Sequence, residues 1–335
     1  MLTGWYPKFE TGRGILNVEK KEHLAQGVSG DFHPDDSASL ISLNPTYADF
    51  VDRTFSMKGF IPTFAAGALS LFIAVVAICA VVLVFPVNPT LTEFTVVVLF
   101  LSLAGGLVYF FWNLVLRHDL FACRYYPIRF NRLTRKVHIF RNNGANGEVV
   151  VSWGSEHLFF FVGWGNQNKE LCDLRCHILD KNRIIVDTFT VGTFTDDPSR
   201  VRGRWEFINR YMDGGPDYAV AHESDKIVAL SMKNSFRNSY RWTCFLLGRS
   251  LFPLRHFLFP WYGVLALTRW LVMATCATPH FSPATVAESR FDPNDEGRWE
   301  EPEYIDQFGE RPDVVARMRQ LHRERKRGRG GTDPL

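Results

Sequence analysis

The chain has 335 residues, of which 38 are Lys or Arg and 35 are Asp or Glu, leaving a formal net charge of only +3. A balance that close provides no long-range field to draw in nucleic acid or an acidic substrate. Hydrophobic residues are 46% and aromatic residues 14% of the chain, and the apolar ones gather into two long runs and a weaker third, which excludes an ordinary soluble globule.

In chain order, residues 1–57 carry mixed charge, turn formers (Pro34, Asp35, Asp36, Pro45) and scattered apolar side chains without a period. They predict an irregular cytoplasmic arm. The opening MLTGWYPKFETGRG has no basic stretch leading into an apolar one, so no cleavable signal peptide is expected.

Residues 58–117 predict a transmembrane hairpin. No ionisable side chain occurs in 59–85 or in 94–116, and each run exceeds or matches the roughly 20 residues that a helix needs to cross the hydrocarbon. The link PVNPTLTE, with Pro86 and Pro89 as helix stops, is too short to hold a domain, so the two helices are expected as antiparallel neighbours. Ser102, Ala104, Gly105 and Gly106 allow close approach, and Tyr109–Trp112 read as an aromatic belt. Arg53 and Lys58 precede the first run, and Arg117, Arg124, Arg129, Arg132, Arg135 and Lys136 follow the second, while the link has no Lys or Arg. The excess of positive charge on one side places both termini in the cytoplasm and the link outside.

Residues 118–215 change to short alternating segments divided by turns. Strands are expected at 125–130, 136–141, 148–153, 157–163, 171–179 and 184–191, with Asp180–Arg183 as a tight turn. The bulky run Phe159–Gly165 reads as a buried strand. A single amphipathic helix follows, with Asp197 as its N-cap, Pro198 at its first position, Val201, Trp205, Ile208, Asn209 and Met212 on one side, and Gly214-Gly215-Pro216 as its stop. Arg129, Arg132, Arg135 and Lys136 offer a contact for anionic lipid near the membrane surface.

Residues 216–290 hold the third apolar region, interrupted by Arg241, Arg249, Arg255 and Arg269 and by Pro253 and Pro260. The expectation is a pair of membrane-associated interfacial helices rather than a third span, because a span would set Arg269 in lipid and send the tail across the bilayer. Residues 291–335 predict a charged cytoplasmic tail with a short helix from Pro312 to about Lys326.

No nucleophile elbow, phosphate loop, zinc-protease motif or dinucleotide fingerprint is present. The six cysteines form no CxxC pair, and Cys172, Cys176 and His177 do not complete a four-ligand zinc site. The expectation is a protein without catalytic residues, cofactor or metal, and without nucleic acid as a partner. The basic end of the tail has no interleaved aromatics to stack bases.

Two resemblances follow from these residues. Six or seven antiparallel strands and one closing helix, opening with PIRFNRLTRKVHIF and VVVSW, resemble the bacterial pleckstrin-homology-like superfold. The hairpin, that same run and FPLRHFLFPW resemble a family of proteobacterial inner-membrane proteins associated with type VI secretion effectors. The resemblances imply an α+β membrane protein whose hairpin leads into a pleckstrin-like β domain. They also imply a binding role, as an immunity or accessory protein toward a protein toxin or secretion component at the lipid bilayer. The alternative is a lipid-sensing or scaffolding protein of the cell envelope.

Overall fold

The computed structural model describes residues 9–28, 30, 32–36, 38–84, 90–165, 170–251, 255–292, 295 and 297–329. Pro86, Pro89 and Pro253, read above as helix stops, lie outside them. In chain order the elements are α1 (Asn17–Lys21), β1 (Leu40–Leu43), β2 (Tyr47–Phe50), α2 (Thr54–Met57), α3 (Ile61–Val84) and α4 (Leu91–Phe111). A π-helical turn (Trp112–Leu116) continues α4 into α5 (Arg117–Asp119). Next come β3 (Ile128–Asn131), β4 (Lys136–Phe140), β5 (Glu148–Ser152), β6 (Leu158–Trp164), β7 (Cys172–Leu179) and β8 (Ile185–Thr195). The chain ends with α6 (Pro198–Gly214), α7 (Pro216–Ala219), α8 (Phe236–Leu251), α9 (Arg255–Thr275), α10 (Pro283–Glu288) and α11 (Pro312–Arg329).

These elements divide into two compact units. One comprises the described residues up to Ser56, Tyr125–Lys233 and those from Pro279 onward, and the other comprises Met57–Arg124 and Asn234–Thr278.

The first unit is a mixed structure with two antiparallel sheets, one ordered β1-β2-β3-β4-β5 and the other β6-β7-β8. Alternation of side chains sends Phe130, Val137 and Ile139 of the large sheet and Phe160, Leu174, Cys176 and Val191 of the small one into a single core. Helix α6 lays Val201, Trp205, Ile208 and Met212 on that core, the stripe expected from its 3.6-residue period. Trp205 lies 4.5 Å from the Phe160 ring and 5.7 Å from that of Trp153. The helix starts where Asp197 accepts the Ser199 N–H at 3.0 Å and stops at Gly215, whose φ of +88° suits glycine.

The arm departs from its expected irregular form. Residues 40–43 and 47–50 are strands, and β2 pairs with β3 from Tyr47↔Asn131 to Phe50↔Ile128. Residues 51–127 therefore leave the sheet from one strand and return to its neighbour. Earlier in the arm, Arg13 and Gly14 bond along Ile184–Ile185, and Glu22–Leu24 bond along Phe160–Val162. The arm covers the outer face of the small sheet, which explains why every residue of β7 is buried. The tail also packs more closely than expected: Trp299, Ile305 and Val314 are buried, and Trp299 N–H donates to Leu43 C=O at 2.9 Å.

The second unit holds α3, α4, α8 and α9. Helix α4 opens on a capping box, in which Glu93 accepts the Thr90 N–H at 2.7 Å and Thr90 Oγ1 accepts the Glu93 N–H at 3.3 Å. Three helical segments are long and apolar enough to cross a membrane: Pro62–Val82, Leu91–Asp119 and Phe257–Thr275. The third apolar region forms the expected pair of helices, α8 and α9, and α9 runs unbroken through Pro260. Helices α8 and α9 pack side by side, with Tyr240 5.5 Å from the Phe259 ring.

Candidate functional site

The feature of the second unit that demands a chemical account is a pair of buried charges among apolar helices. Arg269 of α9 is 2% exposed and Asp119, at the end of α5, is 4% exposed. Both act on one peptide group. The Lys58 C=O accepts a hydrogen bond from Arg269 Nη1 at 2.6 Å, and the N–H of the next residue, Gly59, donates to Asp119 Oδ2 at 3.1 Å. The Lys58–Gly59 peptide is thus clamped with its negative end on a cation and its positive end on an anion. The Thr63 hydroxyl also donates to Asp119, and the Cys276 thiol donates weakly to the Asp119 C=O at 3.0 Å. The Arg269 guanidinium lies 5.7 Å from the Trp242 ring centroid, within cation–π range.

Gly59 makes this approach possible. Its φ is +65°, and a Cβ there would lie 2.7 Å from the Arg269 Cα and 3.1 Å from the Val272 Cβ. Close by, Ala277 N–H donates to Ala122 C=O and Arg124 N–H donates to Ala277 C=O, both at 2.9 Å. The start of α3, the end of α5 and the end of α9 therefore meet at one end of the unit. Sequence reading noticed Arg269 as an ionisable residue in an apolar run and counted its cost in lipid against a third span; it offered no protein partner. The structure corrects that: its partners are protein groups, and α8 supplies the ring beside it.

The four cations offered for anionic lipid all lie on or beside the β3–β4 hairpin, but each has a protein partner. Arg129 is buried, donates to both carboxylate oxygens of Asp49 at 2.8 and 2.7 Å, and lies 3.7 Å from the Tyr47 ring centroid. Arg132 donates to Pro45 C=O at 3.0 Å and Arg135 to Met212 C=O at 2.6 Å. Lys136 pairs with Glu288 at 2.8 Å. Asp49 and Glu288 are far off in sequence, and nothing local marks them as partners.

Two polar clusters are buried in the first unit. His138 Nδ1 and Glu148 Oε1 are 2.8 Å apart, and Thr285 donates to the same carboxylate. Burial holds His138 below its ordinary pKa against the pull of Glu148. Burial alone would raise Glu148, but hydrogen bonds from Thr285, Ser282 and His138 outweigh it and hold the carboxyl low. In the second cluster, His177 Nδ1 contacts Thr188 Oγ1 at 2.7 Å, and its Nε2 faces Glu19 at 3.3 Å. Glu19 also accepts from Arg13 at 2.6 and 2.9 Å and from the Leu16 N–H at 2.8 Å. Burial lowers His177, and the bonds to Glu19 overcome its own desolvation and depress it far below the carboxylate range. Among the described residues, no three His, Cys, Asp or Glu side chains converge as metal ligands.

Residues 106–293 match the model of a family of unknown function, DUF6708. The chain belongs to this family. The matched segment runs from within α4 through β8, α6, α9 and α10, so it includes both buried histidines, Asp119 and Arg269, while Gly59 and Glu19 lie before it. No curated protein and no solved structure matches the chain.

Two outcomes are expected for this DUF6708 protein. Gly59→Ala combines a positive φ with a clash against α9 and destabilises the detergent-solubilised protein by about 2 kcal/mol or more. Gly67→Ala, in α3 with open space at its Cβ, is neutral or slightly stabilising; thermal unfolding of the two variants checks this. Acid should also weaken the first unit in two stages. Both histidines have folded pKa values below the ordinary 6.5 of an imidazole, so their contribution is complete above 6.5 and falls as the pH drops through and below it. Glu19 and Glu148 are depressed from 4.5, so their contribution is lost below that value. Denaturant unfolding from pH 7.5 down to about pH 2 reads both stages, and His138→Gln with His177→Gln flattens the upper one.

Proposed function

We propose that this protein is a membrane-anchored binding protein, with its folded first unit held at the cytoplasmic face of a bacterial inner membrane. The observation that carries this reading is the apolar surface of α3 and α4. Only 11% of either candidate span is buried, and side chains such as Leu71 (67% exposed) and Leu99 (64%) face outward. Exposed apolar faces of that extent are unfavourable in water and suited to hydrocarbon.

Chain connectivity supports the orientation. Residues before and after the first hairpin lie in paired strands, so the hairpin ends on the side where it starts. The same holds for α8 and α9, because Lys233 and Pro279 both belong to the first unit. An even number of crossings removes the objection that a span through α9 would send the tail across the bilayer. The 16 residues of α8 reach about 24 Å at 1.5 Å each, short of a hydrocarbon core of about 30 Å. The second hairpin thus suits partial insertion or a locally thin bilayer.

The binding role belongs to the first unit. The resemblance of residues 120–213, six antiparallel strands β3–β8 followed by α6, to the pleckstrin-like superfold supports a recognition role. The resemblance to effector-associated inner-membrane proteins makes a toxin or secretion component the proposed partner, with an immunity or accessory role. Lipid reading through Arg129, Arg132, Arg135 and Lys136 is less favoured, because their charges are already partnered.

Two experiments test this. Tags at both termini should react with an impermeant reagent only in permeabilised cells, and a tag between Val87 and Asn88 should react in intact ones; recovery of the protein in the supernatant after ultracentrifugation without detergent would refute the anchor. The neighbouring gene is the first readout of the immunity role: a toxin gene there supports it and a cell-envelope operon supports the scaffold reading, and cells producing the protein should survive challenge with such a toxin. Unchanged killing would end the immunity role and leave the anchor standing.

A further inference from the structure

Strand β6 is the outer strand of the small sheet, and its edge is closed by the chain's own Glu22–Val28. The Leu24 N–H donates to Phe160 C=O at 2.8 Å, and the Val162 N–H donates to Glu22 C=O at 3.1 Å. His23 lies opposite Phe161 in antiparallel register and stacks on the Phe159 ring at 4.5 Å. The other wall of this channel is α6. The Trp205 indole donates to Ala25 C=O at 3.2 Å, Asn209 Nδ2 to Val28 C=O at 3.4 Å, and the Gly27 N–H to Asn209 Oδ1 at 3.4 Å. Arg202 pairs with the Glu22 carboxylate at 2.7 Å.

Three features separate this segment from a core element. Apart from the Glu22–Arg202 pair, its hydrogen bonds to the walls run through its backbone, which many sequences could supply. Leu24 is the one residue of 22–28 that is buried. The fit is also imperfect: Gln26 Nε2 is buried with no hydrogen-bond partner, which carries a full desolvation cost, and Gly27 sits at φ +69°. The walls offer an extended backbone defined partners: the Trp205 indole N–H, the Val162 N–H and the Phe160 C=O are all paired through the segment and would face water as an open edge without it.

We propose that the channel between the β6 edge and α6 is a peptide-binding groove, closed in this state by residues 22–28. Its partner is an extended protein segment that adds as a strand to β6. That segment carries a carboxylate for Arg202, an aromatic or imidazole ring for Phe159 at the next position, and a branched apolar side chain one residue further on. The chain's own segment is a resident ligand that the partner displaces. This surface deepens the binding role proposed above and rests on it for the kind of partner, while the groove itself requires no membrane topology.

The test uses the full-length protein in detergent and a fluorescent synthetic peptide of residues 20–30. Gly27→Val strains the resident segment and leaves both walls untouched. The variant should bind the peptide at least about ten-fold more tightly than wild type, since a closed groove reduces apparent affinity by the fraction open. Adding Arg202→Glu should remove that gain. A folded Gly27→Val protein that binds no better than wild type overturns the proposal. Hydrogen exchange on wild type gives the second measurement, which stands even where the variant fails to fold. The Leu24 and Gly30 amides should exchange about 100-fold faster than those of β7, through local opening. Equal protection makes the segment an inseparable part of the fold and overturns the proposal, with the membrane anchor unaffected.

Discussion

The ladder between β2 and β3 constrains everything else in the chain. It joins Phe50 to Ile128, so the strand before the apolar hairpin and the strand after it belong to one sheet. The large sheet cannot close until α3 and α4 have been made and have returned. A long-range pairing of this kind costs loop-closure entropy before it gains any contact.

Within the helical unit, charge replaces apolar packing at one point. A single peptide group receives a guanidinium on its oxygen and a carboxylate on its N–H. Each buried ion is compensated by protein groups, and the charge in an apolar helix is met by a carbonyl and an aromatic ring of its own unit. Glycine at position 59 is required twice over, by its positive φ and by the contact with the α9 backbone. The first unit uses the same device at Arg129 and Asp49, where a bidentate pair roofed by Tyr47 and Phe281 ties β2 to β3. These pairs specify which strands and helices meet, and they are poor surfaces for a ligand.

The N-terminal arm is the part whose role changed most. It supplies two strands, a carboxylate for a buried histidine and a segment along the β6 edge. A bare β6 edge would invite pairing with other chains, and covering it from within the chain is a way to keep that pairing selective. Both the closed edge and the buried Glu19–His177 contact lie on the small sheet, so the arm and that sheet act as one layer.

Much of the architecture was legible in the residues because it depends on local physics. Uncharged runs of sufficient length mark α3 and α4, two-residue alternation marks β3–β8, and Asp197, Pro198 and Gly215 mark the ends of α6. Tertiary structure decided what depends on partners distant in sequence. Tyr47–Phe50 became a strand through pairing with β3, and Leu40–Leu43 through pairing with Tyr47–Phe50, which no local period announced. The basic residues at 129, 132, 135 and 136 were visible as charges, but whether a charge faces solvent depends on an acid or carbonyl brought from elsewhere, such as Asp49, Pro45, Met212 or Glu288. Arg269 reads as a cost in lipid until Lys58, 211 residues away, presents its carbonyl. Periodicity and composition are properties of neighbours along the chain, while compensation of a buried charge is a property of neighbours in space.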